Sequence, residues 1–168
     1  MPEVIFDSCV LSNFALSDGI WILKRLYAGK AYITDFVGLE IVRGIYSGHE
    51  RLSEISLARK EKWLKETVLK TRKEKALFEK LSSSLGAGEA SCIAVARNKG
   101  YVFASDDRVA RQEAILLNVA VTGTIGILLR AAKRNVINAD EGDNLLKKMI
   151  ETGFYSPITS LKKFVDSD

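Results

Sequence analysis

Short runs of β-branched, aromatic and other apolar residues recur along the chain, and helical patterns separate them. These runs cover residues 3–6, 31–34, 101–105 and 119–122. In the intervening segments, apolar residues recur every three or four positions, as they do on one face of a helix. Strands that alternate with helices predict a parallel sheet with helices on both faces, and therefore an α/β fold.

The segments between the runs set the expected helices. The pattern predicts helices over 12–29, 35–48, 88–100, 107–118, 123–135 and 138–152, with Thr34 or Asp35 capping the second and Gly100 ending the third. Residues 50–83 are rich in intermixed lysine and glutamate, which favours a solvated helix face over a nucleic-acid patch. Within them, residues 63–68 fit either a helix or a short strand. Residues 154–168 predict a turn at Ser156 and Pro157, followed by a short amphipathic helix.

The size and composition of the chain narrow the protein class. A length of 168 residues favours a single domain over 1–168. No apolar run reaches the roughly 18 residues that span a membrane, and no secretory signal is recognisable, so we expect a cytoplasmic protein. The cysteines Cys9 and Cys92 have apolar neighbours and no CxxC partner, and we expect both to be buried, reduced thiols.

Charge and histidine content bear on the chemistry. The net charge of +4 permits a polyanionic partner without requiring one. The single histidine, His49, lies in a turn-like stretch, which argues against a Ser-His-Asp triad or a histidine-rich zinc site. Hydrolytic chemistry in this chain is therefore expected to depend on carboxylates.

Acidic residues follow two of the predicted strands. Asp7 follows the first run, and Asp106 and Asp107 follow the third. In open parallel sheets, ligands bind beyond the carboxyl ends of the strands, which is where these aspartates are expected. Each position also opens a helix, so capping of that helix is the structural alternative.

Two glutamates lie within otherwise apolar helical stretches. Glu40 is surrounded in sequence by apolar residues, and Glu89 begins the least polar helix. Exposure on a wet face is the alternative for Glu40, and stabilisation by the helix dipole is the alternative for Glu89. Several carboxylates buried together would each cost several kcal/mol unless a cation compensated them. With oxygen as the only ligand type, that cation would be Mg²⁺ or Mn²⁺, which can activate water and stabilise a phosphate.

Four motifs carry a resemblance to a known family. In chain order they are "VIFDSCVLSNFA", "GLEIVRG", "GEASCIAVA" and "FASDDRVAR", and they resemble the motifs of the PIN domain over residues 4–154. The later stretch "VTGTIGILLRAAKRNVI" resembles a prokaryotic branch akin to the VapC-type toxins. The resemblance implies a Rossmann-like three-layer α/β/α sandwich with a central parallel sheet. It also implies an acidic pocket for Mg²⁺ or Mn²⁺ and endoribonuclease activity. In toxin–antitoxin pairs it further implies an antitoxin partner and a homodimer.

The resemblance assigns the site position by position. It implies that the four catalytic and metal-binding acids are Asp7, Glu40, Glu89 and Asp107. Asp106 is a neighbouring or alternative ligand. Glu89 departs from the aspartate that is common at its position and reaches one methylene further. The candidate substrate-binding residues are Ser8, Ser105, Arg108 and Arg111, with Lys133 and Arg134 as further phosphate contacts.

The predicted function is metal-dependent hydrolysis of RNA phosphodiesters, with a toxin role as an extension. The alternative is a non-catalytic or degenerate PIN fold that binds RNA or protein. A receiver-like phosphoacceptor would place its acid pair after the first strand, and a small-molecule phosphatase would need Asp-x-Asp where residues 7–9 read Asp-Ser-Cys.

Overall fold

A computed structural model describes residues 1–166 and shows a central sheet of five parallel strands. The strands lie in the order β3-β2-β1-β4-β5. They are β1 (Val4–Phe6), β2 (Ala31–Thr34), β3 (Leu64–Thr67), β4 (Val102–Ala104) and β5 (Val121–Thr122). The predicted α/β/α sandwich with a central parallel sheet is therefore confirmed.

Helices connect successive strands and cover the sheet. Those in the first half of the chain are α1 (Ser8–Leu16), α2 (Ile20–Tyr27), α3 (Asp35–Tyr46), α4 (Ser53–Lys60) and α5 (Arg72–Leu81), with a 3₁₀ turn at Glu50–Leu52. The second half contains α6 (Ala87–Lys99), α7 (Arg108–Leu116), α8 (Thr124–Lys133), α9 (Ala139–Glu151) and α10 (Lys162–Val165). No helix within residues 1–166 has the length and apolar character needed to cross a membrane.

The central strand β1 lies between β2 and β4, and all three of its residues are buried. Val4 is aligned with Ala31 on one side and Val102 on the other. Parallel strands with helices on both faces are continuously apolar, which explains why "VIF" does not alternate with polar residues. Because the strands are parallel, the residues that follow β1, β2, β4 and β5 meet at one edge of the sheet.

The structure corrects the helix predicted over 12–29. Two helices occupy this region, because Asp18 adopts a left-handed conformation with φ of 61° and ends the first one. Gly19 follows, and a β-carbon there would lie 3.3 Å from the Phe14 ring. The close approach of the chain to this ring favours glycine. Apolar spacing did not reveal the break because the periodicity continues on its far side.

The structure also decides the secondary structure of residues 63–68 and of the C-terminal segment. Residues 64–67 form the edge strand β3, so the strand alternative within 50–83 is the correct one. The C-terminal helix α10 is four residues long, and the adjacent Leu161 is buried beside Gly142. The last two residues of the predicted segment 154–168 lie outside the described residues.

Cys92 is buried but Cys9 is exposed, so the prediction of two buried cysteines is wrong for Cys9.

Candidate active site

Asp7 lies between the end of β1 and the start of α1, and its residue surface is only 2% exposed. Its backbone N–H donates to the carbonyl of Ala104, which places it beside the end of β4. Oδ1 accepts a 2.9 Å hydrogen bond from the Val10 amide and caps α1. Oδ2 is buried and has no hydrogen-bond partner. The predicted capping alternative is therefore correct for one oxygen and leaves the other unexplained.

The protonation of Asp7 reflects this environment. Burial raises the pKa of Asp7 from its ordinary 3.8 to about 7. The Ser105 hydroxyl lies near the carboxylate without a hydrogen bond of normal geometry to it, and it opposes this rise in the pKa together with the Val10 amide. The negative charges of Asp106 and Glu89 add to the rise. Asp7 consequently titrates near neutrality and would be charged if a cation lay beside it.

Glu40 extends from α3 towards the start of α1. Its Oε2 accepts a 2.6 Å hydrogen bond from the Ser8 hydroxyl, and the residue is half-buried. A β-carbon at position 88 would lie 2.5 Å from Oε1, so glycine there leaves room for the carboxylate against α6. The alternative of a fully solvated Glu40 is wrong, because α1 and α6 both contact it.

Glu89 lies in the first turn of α6. Its Oε2 accepts a 3.3 Å hydrogen bond from the Gly86 amide, so the predicted role at a helix start is present. Burial raises the pKa of Glu89, the charges of Asp107 and Glu40 raise it further, and the Gly86 amide opposes them. Glu89 thus lies within electrostatic range of both neighbouring acids.

The adjacent aspartates after β4 point to different partners. Asp107 caps α7, because its Oδ1 accepts a 2.7 Å hydrogen bond from the Ala110 amide. Asp106 turns towards α8 and accepts from the Thr124 amide at 2.9 Å and the Thr124 hydroxyl at 2.5 Å. It also accepts from Asn13 Nδ2 at 3.1 Å. Protein donors therefore already stabilise the negative charge of Asp106.

The acids share one edge of the sheet without forming a closed ligand set. Partial burial raises the pKa of the Cys9 thiol to about 11, and four carboxylates add to the effect in the order Asp7, Glu89, Glu40 and Asp106. These four acids therefore lie within electrostatic range of the same thiol. Residues 1–166 nevertheless contain no group of three or more Asp, Glu, His or Cys side chains that could hold a metal ion as they stand.

The donors at this edge fit a hard divalent cation. The unpartnered Oδ2 of Asp7 is a buried acceptor that needs a proton or a positive charge. Its neighbours Glu40 and Glu89 also supply only oxygen, the ligand type that Mg²⁺ and Mn²⁺ prefer. Because the described residues hold no such group as they stand, these side chains would have to move towards the ion to close the ligand set.

The predicted cationic residues lie in three different places. Arg108 is exposed at the start of α7, beside the aspartates. Arg111 Nη1 donates 2.8 Å hydrogen bonds to the carbonyls of Ser105 and Thr122, so this side chain ties the ends of β4 and β5 together. Lys133 and Arg134 lie at the far end of α8, about 14 Å from its first residue, and therefore away from the acids.

Sequence reasoning missed two residues that hold Asp106. Asn13 lies within the first motif, where nothing in the sequence distinguishes it from other polar helix positions. Thr124 follows the end of β5, and it would have been selected by the strand-end rule that selected Asp7. Both side chains contact Asp106, and Asn13 Nδ2 also lies 3.1 Å from the Thr124 hydroxyl.

A cleft of about 400 Å³ opens beside Asp106. Its walls come from Arg111, from the β5–α8 junction and from the segment after α9 that contains Phe154 and Tyr155. The carboxylate of Asp106 therefore belongs both to the acidic edge and to this cleft.

A comparison with known protein families identifies a match over nearly the whole chain. The family model DUF3368, a PIN domain, matches residues 3–167, which is nearly the whole chain. No curated protein matches the chain.

Proposed function

The chain belongs to the PIN domain family, and we propose that it is a divalent-metal-dependent endoribonuclease that hydrolyses RNA phosphodiesters. PIN domains are generally nucleases and usually use divalent metals. The observation that carries the proposal is the buried, unpartnered Oδ2 of Asp7 at the edge where Glu40 and Glu89 also lie. A structural aspartate would be expected to have both oxygens satisfied or solvated.

Under this proposal Asp7, Glu40, Glu89 and Asp107 hold one or two Mg²⁺ or Mn²⁺ ions, with Asp106 as an additional or outer ligand. When bound, such an ion lowers the pKa of water and stabilises negative charge on a phosphate. The proposed ligands come from four separate segments of the chain: after β1, in α3, in α6 and after β4.

The remaining polar residues position these acids. The hydroxyl of Ser8 orients Glu40, and the Ser105 hydroxyl accepts a 3.1 Å hydrogen bond from the Asp107 amide. Arg108 is exposed beside the acids, where its guanidinium can contact an RNA phosphate. Such backbone contacts give affinity that decreases with salt and depends little on base sequence.

A non-catalytic binding module is the second candidate, and Asp106 is the observation that favours it. Three protein donors occupy this carboxylate, and Asp107 is engaged in capping α7. If these bonds persist when RNA is bound, the acids would serve the fold alone. RNA binding that is independent of metal, without cleavage, would support this second candidate.

The proposal extends to a toxin that an antitoxin inhibits, acting as a homodimer in the cytoplasm. The resemblance of residues 121–137 to the VapC-type branch supports the toxin role. Ile115 and Leu116 at the end of α7 are more than half exposed and offer apolar surface for a subunit contact. Growth arrest on induced expression, absent in Asp7→Asn, would support a toxin, and the mass in solution would test the dimer.

The experiment for nuclease activity is cleavage of a mixed pool of single-stranded RNA with Mg²⁺, with Mn²⁺ and with EDTA. Asp7→Asn and Glu40→Gln are expected to abolish cleavage while leaving the circular dichroism spectrum unchanged. Asp140→Asn is the matched control, because Asp140 is exposed at the start of α9 and pairs only with Lys162 among the contacts described. Cleavage that persists in EDTA, or in both site variants, would contradict the proposal.

A further inference from the structure

The cleft beside Asp106 adjoins the proposed metal site and shares only Asp106 with it. One wall is formed by Val121, Thr122 and the start of α8. The opposite wall is the segment that follows α9, including Phe154, Tyr155 and Pro157. A volume of about 400 Å³ lies in the range of pockets that hold small organic groups.

The aromatic wall is open to a ligand. Tyr155 is 97% exposed, so almost none of its ring is covered by the residues described. Phe154 beside it is half-buried and packs against the core, which anchors the backbone of this segment. An exposed ring on an anchored segment can stack on a planar group without a large loss of chain entropy.

The polar wall is rigid and still offers donors. Arg111 is fixed by two hydrogen bonds from a single nitrogen, Nη1, to the carbonyls of Ser105 and Thr122. A guanidinium has five N–H donors, so its other groups remain to contact a ligand. Gly123 has no side chain that would crowd Asp106 in this wall, because a β-carbon there would lie 2.6 Å from Asp106 Oδ1.

The charges in the cleft favour a base over a phosphate. The carboxylate of Asp106 lines the cleft and would repel a phosphate placed deep inside it. A neutral, planar heterocycle avoids this repulsion, can stack on Tyr155, and can exchange hydrogen bonds with Asp106 and Arg111. Bases in single-stranded RNA are free to be splayed out and stacked in this way, whereas bases in a duplex are not.

We infer that this cleft binds one unpaired base of single-stranded RNA, stacked on Tyr155, next to the phosphodiester that the acidic edge acts on. The stacking contact stands on the cleft alone, while its place next to the cleaved bond rests on the proposed function. Tyr155 is thereby a binding residue, and its ring contributes affinity at one base position beside the cut.

Binding is measured without catalysis, by fluorescence anisotropy of a labelled single-stranded oligoribonucleotide of about 8 nucleotides, a typical span for single-strand sites. EDTA is present throughout. Tyr155→Phe keeps the ring and is expected to bind within twofold of the wild type. Tyr155→Leu keeps apolar bulk without a ring to stack and is expected to bind about 5- to 150-fold more weakly. Tyr46→Leu is the matched control, because Tyr46 is 87% exposed at the end of α3 and does not line the cleft.

A second arm identifies what Tyr155 contacts. The binding affinity of oligonucleotides that each lack one base is measured with the wild type and with Tyr155→Leu. At the position whose base stacks on Tyr155, removing the base and removing the ring should together cost no more affinity than either change alone. Duplex RNA should bind equally to both proteins. Equal binding of single strands by wild type and Tyr155→Leu, or an equal loss for duplex, would overturn the inference. If single-stranded RNA binds through Tyr155 but no RNA is cleaved, the proposed nuclease function is refuted and the base-binding site is still supported. Failure of the base site and failure of the nuclease function are therefore distinguishable.

Discussion

The substitution Asp7→Asn should stabilise the protein at alkaline pH and should leave its stability unchanged or lower at acid pH. The folded protein raises the pKa of Asp7 from 3.8 to about 7, so it binds the proton more tightly than the unfolded chain does. Without metal, stability must therefore fall as pH rises between about 4 and about 7, and the full cost is present above that window. A shift of about 3 units corresponds to roughly 4 kcal/mol.

Asparagine removes the charge but leaves a buried amide. Its oxygen can still accept from the Val10 amide, while its NH₂ group replaces the unpartnered Oδ2 and costs about 1–3 kcal/mol if it remains unpaired. At pH 8 in EDTA, the variant should therefore be more stable than the wild type by roughly 1–3 kcal/mol. That difference raises Tm by roughly 2–10 °C for a domain of this size. At pH 5 the wild type is largely protonated, and the variant should be equally or less stable.

Calorimetry or urea unfolding at both pH values measures this reversal, with Asp140→Asn as the control that should show none. Adding Mg²⁺ should stabilise the wild type at pH 8 by mass action, about 2.7 kcal/mol at a hundredfold excess over Kd, and stabilise the variant less. A variant less stable than the wild type at both pH values would refute the reasoning. So would a difference in stability that is independent of pH.

Substitutions at three other positions test separate contacts. Gly88→Ala places a β-carbon 2.5 Å from Glu40 Oε1 and should displace this carboxylate. The affinity for Mg²⁺, measured by calorimetry, should fall about 10- to 100-fold with little change in Tm. An unchanged affinity would contradict the assignment of Glu40 as a ligand. Thr124→Val removes the hydroxyl bound to Asp106 and should cost about 1–3 kcal/mol in urea unfolding, whereas Thr124→Ser should cost less. Burial alone would raise the pKa of Glu74, but two backbone amides and an asparagine amide lower it overall. Glu74→Gln should therefore destabilise the protein by about 1–3 kcal/mol at pH 7, and the loss should diminish as pH falls below the usual carboxyl range.

The sheet was predictable because its signals are local. Strands β1, β2, β4 and β5 lie within runs of β-branched, aromatic and other apolar residues, and Gly100 ends α6 with φ of 74°, as its position predicts. The break at Asp18 was not predictable from periodicity, because it depends on one left-handed residue. The edge strand β3 was ambiguous for a related reason: its two central residues are exposed and charged, so its sequence resembles a helix surface.

The candidate acids were predictable because they follow strand ends, but their individual environments were not. Sequence alone gives no reason why Asp106 should face Thr124 and Asn13 while the adjacent Asp107 caps a helix. That division depends on Asn13 in α1, which is distant in sequence, and on Thr124 at the start of α8. The unpartnered oxygen of Asp7 likewise depends on its burial at the end of β1, which the sequence does not show.

The central claim is that Asp7, Glu40 and Glu89 share a divalent cation, and anomalous diffraction from crystals grown with Mn²⁺ tests it most directly. The account predicts an anomalous peak at the carboxyl edge of the sheet, with an oxygen of Asp7 among its nearest atoms, and no such peak in Asp7→Asn crystals. Fully occupied Mn²⁺ elsewhere, with no anomalous peak within ligand distance of Asp7, would contradict the account.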